Sequence, residues 1–66
     1  MDIVINGTLE PLAEVTTVAA LLEQRGLTGK RVAVELNGEI VPKSRHADTA
    51  LQDADKLEIV IAVGGG

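Results

Sequence analysis

The 66-residue sequence contains no cysteine and no phenylalanine, tyrosine or tryptophan, and only one histidine, His46. Without cysteine there are no disulfides, and one imidazole is too little to build a structural metal site. Without aromatic rings there is no platform on which a nucleic-acid base could stack. The formal net charge of −4 removes the electrostatic attraction to phosphates on which nucleic-acid binding depends. The same charge disfavours an anionic membrane surface. No run approaches the ~20 apolar residues of a spanning helix, and no basic segment leads into an apolar stretch at the N-terminus. These absences predict a soluble, cytoplasmic protein with no nucleic-acid or membrane partner. A chain this short makes one domain, whose single core nets only about 3–5 kcal/mol. Stability has to come from regular secondary structure and aliphatic packing, for which 45% hydrophobic residues suffice.

The aliphatic residues fall in short, patterned segments. Asp2-Ile3-Val4-Ile5 is β-branched and meets Asn6-Gly7, the pair best suited to a two-residue hairpin turn. Thr8 to Leu12 forms the returning strand, and Pro11 marks it as an edge. A strict two-residue turn sets Leu9 opposite Val4, away from Ile3 and Ile5, whereas a bulge turns Leu9 inward; both registers are open. Val18, Leu21, Leu22 and Arg25 share one helix face, with Thr17 placed to cap its start and Gly26 to end it. Arg31 to Leu36 alternates, with Val32, Val34 and Leu36 on one face. A second Asn-Gly turn, Asn37-Gly38, returns through Ile40 and Val41 to Pro42, pairing Val34 with Val41. Lys43 to Asp55 is polar, with Ala47, Ala50 and Leu51 at helical spacing, and reads as a loop with one short helical turn. Lys56 to Val63 is the strongest strand, with Leu57, Ile59, Ile61 and Val63 inward. One helix covers one face of a sheet, so the order predicts a two-layer α+β domain.

Two features carry functional weight. On the last strand the outward residues near the end, Val60 and Ala62, are apolar, as is the outward Val4 of the first strand. Together they read either as isolated surface aliphatics or as a partner-binding patch. Directly after the strand come Gly64, Gly65 and Gly66. Three glycines in a row are rare at an average frequency of about 7%. They read as a frayed end, as appended residues, or as a working tail. Lacking Cβ atoms, such a tail threads a channel too narrow for any side chain. A carboxylate on Gly66 is inert until an enzyme activates it, for example as a mixed anhydride with AMP that a sulfur nucleophile then displaces.

Nothing else in the chain suggests catalysis. His46 and Asp48 lie in a polar loop, where a surface histidine is expected. Lys43, Arg45 and His46 form a small basic cluster, a solvated loop or a docking site. Asp53 and Asp55 offer too few oxygens, at the wrong spacing, for a calcium loop. The chain is expected to have no catalytic residue and no metal site, and not to be an enzyme.

Taken together, these segments resemble a known family. Ile3-Val4-Ile5-Asn6-Gly7, Thr17-Val18 before Leu21-Leu22, the block from Val34 to Pro42, Leu51 to Asp55, Leu57 to Val60 and the glycines are similar to the sulfur-carrier (ThiS) family of thiamine biosynthesis. The resemblance runs from Met1 to Gly66. It departs at Ala54, where the family often has glycine, and at His46, where it often has an aromatic. It implies a ubiquitin-like β-grasp fold: a mixed sheet of about five strands with one main helix on one face, residues 1–63 forming the domain and 64–66 a flexible tail. The first and last strands would be parallel neighbours, bringing Val4 beside Val60. The resemblance also implies that a ThiF-like adenylyltransferase, using ATP and magnesium, adenylates Gly66. Sulfur from cysteine, through a desulfurase, would convert it to a thiocarboxylate, and a ThiG-like thiazole synthase would take the sulfur. Gly64 and Gly65 would thread the tail, Val4, Val60 and Ala62 would dock partners, and the chain alone would be a monomer with no bound cofactor. The small subunit of molybdopterin synthase, a ubiquitin-like modifier joined to lysines, and a plain interaction module are the alternatives.

Overall fold

The computed structural model describes residues 1–12 and 17–62. The strands are β1 (Asp2–Ile5), β2 (Thr8–Pro11), β3 (Val32–Leu36), β4 (Glu39–Val41) and β5 (Lys56–Ile61), with one helix, α1 (Val18–Gln24). They form one sheet of order β2-β1-β5-β3-β4. The pair β1–β5 is parallel and the others antiparallel, so the expected mixed five-stranded sheet is present with the last strand at its centre. The expected glycine tail and the inward Val63 lie outside the described residues.

Both Asn-Gly pairs make two-residue turns with positive φ at each centre, 50° and 83° at Asn6-Gly7 and 52° and 87° at Asn37-Gly38. This backbone twist matches that of the flanking strands. It fixes the first register without a bulge: Ile5 faces Thr8 and Val4 faces Leu9. Leu9 therefore points outward and is 63% exposed. In the second hairpin Val34 faces Val41, as the alternation requires.

Helix α1 begins at Thr17, whose Oγ1 accepts the Ala20 N–H at 3.1 Å. It ends where Gly26 takes φ 72°. There the Leu27 N–H reaches the Leu22 carbonyl and the Gly26 N–H the Glu23 carbonyl, a double bond pattern that closes the last turn. Arg25 follows the last helical residue and pairs with Glu10 of β2 at 2.8 Å, tying helix end to sheet edge. Val18, Leu21 and Leu22 pack on Ile3, Ile5, Val34, Leu57 and Ile59, with Leu51 completing the core.

Three expectations change. The short helical turn is a 3₁₀ turn at Lys43–Arg45, not one built on Ala47, Ala50 and Leu51. Pro42, with φ −61°, leads straight into it. Ala47 and Ala50 are exposed and only Leu51 enters the core. His46 is not a surface residue: it is 7% exposed, because the 3₁₀ turn carries it under the start of α1. Its ring Nε2 lies 3.1 Å from the Val41 carbonyl, and its own carbonyl accepts the Ala19 N–H. Finally, Ile61 points to the helix side yet is 43% exposed. A helix of seven residues spans only about 10 Å and stops short of it.

Candidate functional site

The functional interest lies where β5 leaves the sheet, at the end from which residues 63–66 continue. Strand β5 is held from both sides by turn asparagines. From the β1 side, Asn6 Oδ1 accepts the Ile59 N–H at 2.7 Å and Asn6 Nδ2 donates to the Ile59 carbonyl at 3.1 Å. The side-chain amide thus stands in for the residue β1 would supply if it did not turn away. From the β3 side, Asn37 Oδ1 accepts the Lys56 N–H, and Asn37 Nδ2 donates to Asp55. These roles have no signature in the sequence beyond the Asn-Gly pairs themselves, because each partner lies far along the chain.

Past Ile59 the described residues of the strand are exposed on both faces. Val60 is 61% exposed and Ala62 is exposed. Val4 is half-buried and does not join them. In the parallel pairing Val4 lies beside Lys56, and Ile5 beside Leu57. Val60 is four residues further along, about 13 Å away at the rise of a strand. The expected single patch is thus divided: β1 ends at Ile5, and the row between carries Glu58 and Glu35. Val60 instead lies beside Ala33 of β3. On the β4 side of the same face, Ile40 is exposed. Gly66, expected to carry the sulfur, and Gly64 and Gly65, expected to thread the tail, lie outside the described residues.

Val60 and Ala62 also line a groove of about 610 Å³ between the end of α1, the approach to β3 and the loop after β4. Leu22, Leu27 and Val32 supply apolar surface, and Lys30, Arg31 and Lys43 supply charge. The sequence pattern gave no sign of this groove, since its cations come from two loops that the fold brings together.

The architecture is that of a β-grasp domain, a sheet of two hairpins joined through a central last strand and gripping one helix. The chain belongs to the ThiS family, ubiquitin-like sulfur carriers, whose profile matches residues 3–66. It is 46% identical over 50 residues to the sulfur carrier protein ThiS of Bacillus subtilis, covering 76% of each chain. It is 52% identical over its whole length to a thiazole synthase of Paramagnetospirillum magneticum, of which it spans only 20%. A crystal structure of the thiamine biosynthesis protein ThiS from Geobacter metallireducens superposes over both full chains with a TM-score of 0.85 at 32% identity.

Proposed function

We propose that this chain carries sulfur for the thiazole of thiamine as a thiocarboxylate on Gly66. The observation that carries the reading is the family match, which continues through residue 66 and so includes the three glycines. On this reading a ThiF-like adenylyltransferase binds the tail with ATP and magnesium. A Gly66 carboxylate oxygen attacks the α-phosphorus, and pyrophosphate leaves. The terminal sulfur of a persulfide, formed from cysteine on a desulfurase, then attacks the carbonyl carbon and AMP departs with the oxygen. A thiol cleaves the resulting acyl disulfide, taking the other sulfur into a new disulfide and leaving the thiocarboxylate. A ThiG-like thiazole synthase takes the sulfur from the resulting thiocarboxylate. Gly64 and Gly65 serve by having no side chains, since a Cβ on either would widen the tail inside the partner's channel. The chain's own contribution is a stable platform and an unobstructed carbonyl, and the chemistry belongs to its partners. It works in the cytoplasm.

Relatives named as a thiazole synthase and as ThiS favour thiazole formation over molybdenum-cofactor synthesis. The test is the intact mass after incubation with ATP, magnesium, a desulfurase with cysteine, a thiol reductant and the adenylyltransferase, beside a variant lacking Gly66. A gain equal to replacing one oxygen by sulfur is expected in the full chain and not in the variant. An unchanged mass with an adenylyltransferase active on another carrier would overturn the proposal. An isopeptide to lysine instead would make the chain a protein modifier.

A further inference from the structure

The groove beside the tail end has a charge opposite to that of the molecule. The chain carries a net −4, yet half of its six lysines and arginines, Lys30, Arg31 and Lys43, line this one concavity. Glu23 is the only carboxylate among the described lining residues. Leu22, Leu27 and Val32 add aliphatic groups to the lining, as do Val60 and Ala62 at the end of β5.

The groove also holds an open strand edge. The Ala62 N–H bonds the Arg31 carbonyl, and Ala33 pairs with Val60, so Arg31 and Ala33 direct their main-chain groups towards β5. Alternation along the strand then directs the Val32 N–H and C=O the other way. On that side β4 has already ended at Val41 and given way to Pro42 and the 3₁₀ turn. Val32 therefore offers a donor and an acceptor into the groove, in the arrangement an added extended segment uses.

Resting on the sulfur-carrier reading, we propose that this groove receives an extended acidic segment of a partner protein that handles the tail. The segment pairs through its main chain with Val32, sets an aliphatic side chain on Leu22 and Leu27, and turns carboxylates towards Lys30, Arg31 and Lys43. A nucleotide fits less well, because it would leave the aliphatic surface uncovered and find no aromatic ring on which to stack. The segment's acidity gives selectivity: the rest of this acidic carrier repels it, so attraction is confined to the end from which the tail departs.

The test measures binding of the full chain to the thiazole synthase and to the adenylyltransferase by titration calorimetry, at about 50 and about 300 mM salt, a range over which screening of exposed charges changes strongly. The groove variant is Lys30→Gln with Lys43→Gln. The control is Thr8→Glu with Gln52→Glu, at exposed positions outside the groove, which makes the chain more acidic by the same amount. Thermal unfolding checks that each variant is folded. At low salt the groove variant should bind at least one of the two enzymes about tenfold more weakly, with the control within about twofold of the parent, and parent and control should lose affinity steeply with salt while the groove variant loses little. Equal affinity of the groove variant and the parent for both enzymes, or equal loss in groove variant and control, overturns the groove while leaving sulfur gain on Gly66 intact as a separate result. A parent chain that neither gains sulfur nor binds either enzyme removes the carrier reading and this proposal with it.

Discussion

At the scale of the residue, Ala54 is held under strain. Its φ is 72°, a region in which a Cβ crowds the backbone, yet its N–H is committed to the Asp2 carbonyl at 2.7 Å. Asp55 Oδ2 accepts the Gln52 N–H and Asp53 Oδ1 accepts the Asp2 N–H, so the turn is pinned around the strained residue. Replacing Ala54 with Gly should relieve the strain, less the extra entropy glycine has in the unfolded chain, and stabilise by about 0.5–1 kcal/mol. In a domain of this size that is a rise in melting temperature of about 3–6 °C, measurable by circular dichroism. No rise would mean that the turn gains nothing from glycine. The sequence marked Ala54 as a departure from the family pattern, but only the backbone angle explains why glycine belongs there. His46 was less legible. A histidine among Lys43, Arg45 and Asp48 looks solvated, and its burial depends on α1, which contributes Ala19 from far away in the chain.

At the scale of the element, the hairpins and the helix were readable because their signals are local. Asn-Gly turns, Thr17, Gly26 and the alternation of Val32, Val34 and Leu36 each act within a few residues. The 3₁₀ turn was misplaced because the spacing of Ala47, Ala50 and Leu51 imitates a helix face, while Pro42 starts the turn earlier. What local signals could not show is that Asn6 is a staple as well as a turn residue. Asn6→Gly separates the two roles, since glycine takes the positive φ easily but removes both bonds to Ile59. A loss of about 1–3 kcal/mol in urea unfolding is expected. Stability equal to the parent would show that β5 holds its place without the amide.

At the scale of the whole molecule, the two-layer architecture followed from one helix and five strands, and the inward residues of β1, β3 and β4 were read correctly, as were Leu57 and Ile59 of β5. The division of the expected patch was not readable, because it depends on the stagger between β1 and β5, which no periodicity specifies. Only Val60 and Ala62 stand together at the tail end. Val60→Asp should leave unfolding free energy within about 1 kcal/mol, as the side chain is largely exposed. On the proposed carrier reading it should weaken adenylyltransferase binding by about tenfold or more, by setting a charge against the partner's apolar surface. Unchanged affinity would move the docking surface elsewhere. The central position of β5 has a consequence for how the chain is made. The strand that joins the two hairpins is the last of the five described strands to be synthesised, and Asn6 bonds a residue 53 positions later. During translation the two halves must wait, each a marginal hairpin with an open edge, for the several seconds until β5 emerges. Productive folding thus waits for β5, so a chain interrupted before Lys56 would hold both hairpins yet lack the strand that joins them into one sheet.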